Sequence, residues 1–300
     1  MSRKYRLCCL TKNKTNPAYI GAQLGAARLA ERLGHELIGY APDIPEDVNQ
    51  QIALLEAALD TAPDAILIAP VHITALNATL QKVVDAGIPL IFFVTSAEHI
   101  EANSFVTSNN FTLAVDIAKY LFEHLDGNGN IAIIEGLPQS PTSAPRTEGF
   151  RAAATMYPHI NIVASAIGNY QRDDGKREMA SILKQHPHID GVLAANDFMA
   201  LGALEALEEA GRKAAVVGMN AVPEAIKAIK SGNLLATVSY DALSLACIAV
   251  QAAVHILDGI PAPKLLALSA DIVDASNCAA WDLPYEERPL PSWDMATRNA

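Results

Sequence analysis

Side chains capable of catalysis or metal binding are sparse in this sequence, and their spacing matches no common motif. The His186-Pro-His188 pair is interrupted by a proline, which breaks the helical geometry that two metal-binding histidines use, so a solvent-exposed loop is predicted there. The adjacent Asp173 and Asp174 are predicted to begin a helix, where acidic side chains complement the helix dipole. The four cysteines show no Cys-x-x-Cys pair and no Cys/His ligand spacing. They are interpreted as small buried hydrophobic residues: Cys8, Cys9, Cys247 and Cys278.

Motifs for phosphate binding and for a serine nucleophile are also missing. No strand is followed by Gly-x-Gly-x-x-Gly, and neither Gly-x-x-x-x-Gly-Lys-Ser/Thr nor Gly-x-Ser-x-Gly occurs. Gly21 and Gly25 lie inside a helical pattern, where small residues allow close packing and do not cradle a phosphate. We therefore expect a binding protein and not an enzyme, with no cofactor and no metal.

Composition and charge further limit the classes of protein to which this chain can belong. The chain has 300 residues, 51% of them hydrophobic and 18% charged, which suffices for a sizeable core and is typical of about two domains. The net charge of −11 argues against nucleic-acid binding, which depends on lysine and arginine. No apolar run approaches the roughly 20 residues that span a bilayer. The apolar run at residues 7–11 is too short for a signal peptide. The protein is therefore expected to be cytosolic, or to have lost a leader before Met1.

The elements that must position the polar side chains alternate between short apolar strands and longer periodic helices. The strands are apolar on both faces, which is typical of a parallel sheet covered by helices on both sides. This pattern predicts a doubly wound α/β fold. About ten strands are many for one open sheet, so two similar lobes are predicted. The break between them is expected near Ser108–Asn110, where an extra short strand interrupts the alternation.

Ligands of doubly wound sheets bind beyond the carboxyl ends of the strands. In this sequence those positions carry polar or aromatic residues and almost no charge, and they lack the carboxylate pairs or histidine clusters that chemistry usually needs. A site that binds a small polar molecule is therefore predicted. The strand-end residues are Thr11, Asn16, Thr95, Arg146, Tyr170, Asn196, Asn220 and Tyr240.

Five segments are similar, in order and in register, to motifs of one family. They are residues 12–19 (KNKTNPAY), 85–89 (DAGIP), 146–150 (RTEGF), 196–204 (NDFMALGAL) and 217–220 (VGMN). Together they resemble the type I periplasmic sugar-binding proteins of the ribose-binding-protein family, over about residues 5–272. The resemblance implies a solute-binding receptor of an ABC importer, which captures a small carbohydrate or polyol between two lobes by hinge closure.

The family fold implies two doubly wound parallel-sheet lobes joined by a three-strand hinge. The first lobe would comprise residues 1–107 and 242–270, and the second 108–239 and 271–300. The hinge segments would lie near 107–109, 239–241 and 270–272. The resemblance further implies a periplasmic monomer that binds no nucleic acid and delivers its ligand to a membrane ABC permease. A cytosolic sensory domain of LacI-like type is the alternative. LacI-type repressors carry about 60 N-terminal residues for DNA binding, however, and only four residues precede the first strand here.

The resemblance also assigns roles at the ligand site. Asn16 and Asn196 would bind ligand hydroxyls, although Asn196 is equally suited to cap a helix. Tyr19 and Tyr170 would stack on the apolar face of a sugar, and Arg146 would donate to ligand oxygens in a fork. The complete set of predicted ligand-binding residues is Thr11, Asn16, Tyr19, Val94, Thr95, Arg146, Tyr170, Asn196, Asn220 and Tyr240.

Three residues, in two places along the chain, depart from the family pattern. The family's Asp-Arg pair after the fourth strand is replaced by Val94 and Thr95, and a later aspartate is replaced by Asn220. A charged acceptor contributes about 1.5–3 kcal/mol per hydrogen bond, so these replacements change the choice of ligand and predict weak ribose binding. Two ligand classes follow. The family favours a neutral polyol or deoxysugar, whereas the charge balance favours a sugar acid whose carboxylate pairs with Arg146. The neutral ligand is the preferred prediction.

The C-terminal residues extend beyond the family core. Trp281, Tyr285 and Trp293 occur there together with three prolines, which predicts an extended segment. We expect this segment to pack on the second lobe. The alternative is that it approaches the mouth of the cleft.

Overall fold

The computed structural model describes residues 3–297 and divides them into two α/β units. The first unit comprises the described residues up to Ser108, then Asp241–Ser269, and the described residues from Pro284 onward. The second unit comprises Asn109–Tyr240 and Ala270–Leu283. The chain therefore passes from one unit to the other four times, once more than the three passages that the family resemblance implies.

Strands and helices alternate along almost the whole described chain, as predicted. The strands are β1 (Arg6–Leu10), β2 (Glu36–Tyr40), β3 (Ala65–Ile68), β4 (Leu90–Phe93), β5 (Ser104–Thr107), β6 (Asn128–Glu135), β7 (His159–Ile167), β8 (Gly191–Ala194), β9 (Ala215–Met219), β10 (Ala236–Ser239), β11 (Leu265–Ala267) and β12 (Asp271–Val273). The α-helices are α1 (Pro17–Arg32), α2 (Val48–Asp60), α3 (Asn77–Asp85), α4 (Asn110–His124), α5 (Ser143–Ala154), α6 (Arg172–Gln185), α7 (Asp197–Glu209), α8 (Pro223–Lys230), α9 (Ala242–Leu257) and α10 (Trp293–Thr297). A short 3-10 helix spans Cys278–Trp281.

Each unit contains one six-stranded sheet. The order in the first unit is β11-β5-β4-β3-β1-β2, and all neighbouring strands are parallel. The order in the second unit is β12-β10-β9-β8-β6-β7, and only β12 runs antiparallel to its neighbour. The first strand of each unit lies inside its sheet, and the chain leaves it in both directions, which is the doubly wound arrangement. The predicted fold class is therefore confirmed.

Burial explains why the strands read as continuous apolar runs. Every residue of β3 and β4 is buried, because helices cover both faces of the sheet. The helices begin where a side chain can accept hydrogen bonds from the free N–H groups of the first turn. The capping side chains are those of Asn16, Asp47, Asn109, Asn196 and Asp241. Three of these residues, Asn109, Asn196 and Asp241, come within two residues of the end of a strand, so they lie at the sheet edge where ligands bind in this fold class.

The small residues of α1 serve packing, as predicted. A Cβ atom added to Gly25 would lie 2.6 Å from Leu243 of α9, so the two helices approach closely only because that position has no side chain. A Cβ atom added to Gly21 would lie 2.6 Å from the ring of Tyr285. The glycines therefore allow a helix and the C-terminal segment to pack on α1.

The C-terminal segment packs on the first unit, and this corrects the prediction that residues 271–300 all join the second. Arg28 of α1 donates to the carbonyl of Tyr285 at 2.7 Å. The rings of His255 and Trp293 meet edge to face, with centroids 4.5 Å apart. Residues 270–283 do cluster with the second unit, where Asp282 forms an ion pair with Lys230. The sequence pattern did not predict that the last residues pack on the first unit, because these contacts join residues more than 30 positions apart.

Three other predictions are confirmed by the described residues. All four cysteines are free and buried. Asp173 and Asp174 lie in the first turn of α6, where they complement the helix dipole. The residues between α6 and β8, which include His188, form a loop. Within residues 3–297, no group of three or more His, Cys, Asp or Glu side chains could hold a metal ion.

Candidate functional site

The strand ends of the second unit converge on Arg146. This arginine belongs to α5, and it is only 3% exposed. Its Nε atom donates to Asn110 Oδ1 at 2.9 Å, and its Nη1 atom donates to the carbonyl of Ala195 at 2.5 Å and to Asn220 Oδ1 at 3.5 Å. Asn110 begins α4, Ala195 follows β8, and Asn220 follows β9. Arg146 therefore connects three places at the carboxyl edge of the sheet.

Two tyrosine rings flank the same guanidinium. Its central carbon lies 6.0 Å from the ring centroid of Tyr170 and 5.6 Å from that of Tyr240. An aromatic face attracts a cation at these distances. None of the ion pairs within 4.0 Å in the described part of the chain involves Arg146. The direct contacts of the guanidinium are therefore neutral oxygens and ring faces, and these contacts offset part of the cost of burying its charge.

Asp197 interacts electrostatically with Arg146, although the two form no ion pair within 4.0 Å. Its carboxylate is completely buried; Oδ1 accepts from the hydroxyl of Thr237 at 2.6 Å, and Oδ2 accepts from the N–H of Val222 at 2.9 Å. Burial raises the pKa of Asp197 to about 6, while these hydrogen bonds and the charge of Arg146 act in the opposite direction. The sequence argument missed Asp197 because it used the NDFMALGAL motif for Asn196 alone.

Asn196 uses its side chain within the protein. Its Oδ1 atom accepts from the N–H of Met199 at 2.9 Å, which is the helix cap that the sequence allowed. Its Nδ2 atom donates to the carbonyl of Tyr170 at 3.0 Å. Asn196 therefore holds the loop that carries Tyr170. A direct bond from Asn196 to ligand hydroxyls stays a prediction.

The predicted residues of the first unit also follow its strands, and they too make internal bonds. Thr11 is buried after β1, and its hydroxyl accepts from Gln23 Nε2 at 3.1 Å. Asn16 is buried and caps α1 through the N–H of Ala18 at 3.0 Å. Tyr19 is buried, and with Leu24, Leu37 and other residues it lines a cavity of about 400 Å³ beside α1 and β2.

Val94 and Thr95, the positions that depart from the family pattern, are both buried after β4. Val94 has a φ of 63°, which is a strained backbone for a β-branched residue. Its carbonyl accepts from the hydroxyl of Thr107 at 3.0 Å, which helps to hold the turn. The hydroxyl of Thr95 donates to the carbonyl of Pro70 at 2.9 Å. Neither side chain supplies the negative charge that the family places here.

A buried ion pair lies next to Thr11, and the sequence argument did not predict it. Lys12 Nζ lies 3.4 Å from Glu46 Oε2, and the side chains are 1% and 7% exposed. Glu46 reaches this position from the loop before α2, where its φ is 59°. The signal available in the sequence was Lys12 itself, a lysine two residues after the buried apolar run Leu7–Leu10 of β1.

The two units thus present two sets of predicted residues. The second unit brings together Arg146, Tyr170, Asn196, Asn220 and Tyr240 by direct contacts. In the first unit, Thr11, Asn16, Val94 and Thr95 lie just beyond the carboxyl ends of β1 and β4, whereas Tyr19 lies within α1. Hydrogen-bonding amides, hydroxyls and aromatic rings dominate both sets, so the arrangement can bind a polar molecule and offers no nucleophile with an adjacent base. Across the part of the chain that the structure describes, no helix is long and apolar enough to cross a membrane.

Comparison with known proteins yields one family. Residues 9–261 match the periplasmic binding protein domain. The ribose import binding protein of Bacillus subtilis is 28% identical over 251 residues, which are 84% of this chain and 81% of that protein. An ABC transporter solute-binding protein of Actinobacillus succinogenes, solved with bound D-allose, has a TM-score of 0.88 and 29% identity, and the alignment covers 92% of this chain and 99% of that chain. A solute-binding protein of Bacillus halodurans with bound myo-inositol has a TM-score of 0.85 and 27% identity, covering 94% and 98%.

Proposed function

Because this chain belongs to the periplasmic binding protein domain family, whose similar members are sugar- and polyol-binding ABC solute receptors, we propose that it is the receptor of an ABC importer for an uncharged carbohydrate or polyol. The two units would close on the ligand about a hinge, because a ligand that contacts both stabilises the closed state. The receptor would then release the ligand unaltered to a membrane permease. We propose that the protein functions in the periplasm, and we expect it to be a monomer.

The surroundings of Arg146 carry the proposal of an uncharged ligand. The guanidinium is buried, but it donates hydrogen bonds to a backbone carbonyl and two amide oxygens, and two tyrosine rings lie within 6.0 Å of its central carbon. A site arranged in this way does not need a carboxylate from the ligand to offset the arginine. Hydroxyl groups both donate and accept, so they match amides and a guanidinium without leaving a buried charge unpaired.

The aromatic residues fit the same class of ligand. Tyr170 and Tyr240 are buried at the strand ends, beside Arg146. A sugar or cyclic polyol has C–H groups that pack on an aromatic ring, while its hydroxyls hydrogen-bond at the edges. The ligand-contacting set that we propose is Thr11, Asn16, Tyr19, Val94, Thr95, Arg146, Tyr170, Asn196, Asn220 and Tyr240.

Two replacements argue that the ligand is not ribose itself. Val94 and Asn220 stand where the ribose-binding-protein family has carboxylates, and each lost charged acceptor costs about 1.5–3 kcal/mol of binding. The similar proteins named above include a ribose import binding protein and solute receptors solved with D-allose and with myo-inositol. Ribose, allose and myo-inositol are all uncharged polyhydroxylated molecules. A neutral ligand with fewer or differently placed hydroxyls is therefore the class we favour.

Isothermal titration calorimetry with a matched panel tests the proposal. The panel contains D-ribose, D-allose, erythritol and myo-inositol, against D-ribonate and D-gluconate as acids. We expect binding by at least one neutral member, weak or absent binding of ribose, and recovery of the ligand unchanged by NMR. Binding of the acids alone would contradict the neutral class. Micromolar affinity for ribose would contradict our interpretation of Val94 and Asn220.

A pair of variants on α5 links any binding to the site. Arg146→Met should abolish binding, because it removes the group that joins the strand ends. Arg151→Met is the matched control, since Arg151 is exposed on the same helix and lies 3.6 Å from Glu135. Equal loss of binding in both variants, or loss in neither, would refute the proposed site.

A further inference from the structure

The backbone that carries Tyr170 adopts a conformation that needs support. Asn169 and Tyr170 both have positive φ, 51° and 60°, which L-residues rarely adopt in succession. Residues in this conformation are strained and persist only where the surrounding structure holds them. One support is Asn196, whose amide donates to the carbonyl of Tyr170 at 3.0 Å. A contact with a distant residue, and not the local backbone preference, therefore stabilises the turn at residues 169 and 170.

The ring of Tyr170 packs directly against the backbone of Gly136, which has no side chain. A Cβ atom added to Gly136, which follows β6, would lie 2.2 Å from the Cζ atom of Tyr170. This separation is far below any ordinary contact, so the ring occupies the volume that a side chain at residue 136 would take. The absence of a side chain at Gly136 sets where the ring can lie but does not set which hydrogen bond its hydroxyl makes.

The hydroxyl of Tyr170 is bonded to Thr142. The two oxygens are 2.7 Å apart, and both residues are buried. Thr142 is also the N-cap residue of α5, where a threonine hydroxyl ordinarily accepts from the first turn of the helix. Here it makes no such cap bond. The hydroxyl of Thr142 instead contacts the hydroxyl of Tyr170 and, at 3.4 Å, that of Ser140, and the bond to Tyr170 is the shorter of the two.

We propose that Thr142 is a positioning residue of the ligand site, which fixes the ring of Tyr170 so that the ring presents its face, and not its hydroxyl, to the ligand. The inference rests on the function proposed above and deepens it, because a ring held in this way favours ligands with an apolar C–H face. Arg146 lies 6.0 Å from the same ring, so a displaced ring would also change the surroundings of the guanidinium.

Four variants separate positioning from simple loss of structure. Thr142→Val removes the hydroxyl and keeps the shape, Thr142→Ser keeps the hydroxyl, Tyr170→Phe removes the partner, and the fourth combines Thr142→Val with Tyr170→Phe. Tyr157→Phe is the matched control, since its hydroxyl bonds to Glu123 on an exposed part of the second unit. Circular dichroism and thermal unfolding establish that each variant folds.

Calorimetry with D-allose, erythritol and myo-inositol gives the first readout. We expect Thr142→Val and Tyr170→Phe each to weaken binding about three- to tenfold, the range of one neutral hydrogen bond. The double variant should be no weaker than Thr142→Val alone, because the bond between Thr142 and Tyr170 can be lost only once. Thr142→Ser should restore most of the affinity. Additive losses, or equal losses in Thr142→Val and Thr142→Ser, would overturn the inference.

NMR of the ligand-free protein, with tyrosine ring carbons labelled, gives the second readout. The chain has eight tyrosines, and the signal absent from Tyr170→Phe identifies Tyr170. This signal should move in Thr142→Val and stay in place in Thr142→Ser. An unmoved signal in Thr142→Val would overturn the inference even if affinity falls. If no panel member binds the wild-type protein, the proposed function fails, and the labelled signal alone decides whether Thr142 fixes the ring.

Discussion

Replacing Asp197 by asparagine should remove a specific dependence of stability on pH. The carboxylate is completely buried, and burial raises its pKa from 3.8 to about 6 in spite of two hydrogen bonds and the nearby Arg146. Asparagine has the same shape. Its oxygen can accept from the N–H of Val222, and its amide can donate to the hydroxyl oxygen of Thr237. The substitution therefore removes the ionisation and keeps both contacts, with the direction of the hydrogen bond to Thr237 reversed.

The sign and size of the effect follow from the raised pKa. The folded protein keeps the proton of Asp197 up to about pH 6, whereas the unfolded chain releases it near pH 3.8. The extra stability is fully present below pH 3.8 and is lost as the pH rises through 6. One pH unit corresponds to about 1.4 kcal/mol, so the full change is about 3 kcal/mol. Between pH 4.5 and pH 7 the expected loss is about 2 kcal/mol.

Urea unfolding followed by circular dichroism, at pH 4.5, 5.5, 6.5 and 7, measures this change. The quantity of interest is the difference in unfolding free energy between wild type and Asp197→Asn, since all other ionisable groups titrate in both. Relative to the variant, the wild type should lose stability with rising pH. Asp173→Asn is the control, because that side chain is exposed at the start of α6. A difference that stays constant from pH 4.5 to 7, or grows with pH, would refute the reasoning.

Two further outcomes are expected from packing in the first unit. Gly21→Val should displace the ring of Tyr285, which lies 2.6 Å from a Cβ atom at that position, so a protease should remove the C-terminal segment faster than from the wild type; unchanged cleavage would contradict this packing. None of the four cysteines should react with a disulfide reagent at pH 8 in the folded protein, because all are buried and burial raises the pKa values of Cys9 and Cys247 to about 12; four thiols should react after unfolding, and rapid reaction of the native protein would show that this burial is wrong.

The fold could be predicted from the sequence because its signals are local. Continuous apolar runs such as Ala65–Ile68 and Leu90–Phe93 are buried on both faces, which is typical of a parallel sheet covered by helices on both sides. Capping residues after strands, such as Asn16 and Asn196, mark where helices begin at the carboxyl edge. Strand identity and candidate site positions therefore come from the same short stretches of sequence.

The contacts at the site could not be predicted because they join distant parts of the chain. Nothing in the local sequence around Arg146 indicates that Asn110, Ala195 and Asn220 would provide its hydrogen-bond acceptors. The positive φ of Val94 is likewise invisible in a β-branched residue, since that residue type disfavours the conformation. The C-terminal segment was misplaced for the same reason, because its partners lie on α1 and α9.

The same hydrogen bonds hold the edge of the second sheet together and set its electrostatics. Arg146 is fixed by Asn110, Ala195 and Asn220, so its guanidinium is already oriented before any ligand arrives. A preoriented donor loses little freedom on binding, and neutral acceptors leave its positive charge in place. An aspartate at position 220 would pair with that charge. The asparagine therefore leaves Arg146 a stronger hydrogen-bond donor than an aspartate would, which agrees with the uncharged ligand that we propose.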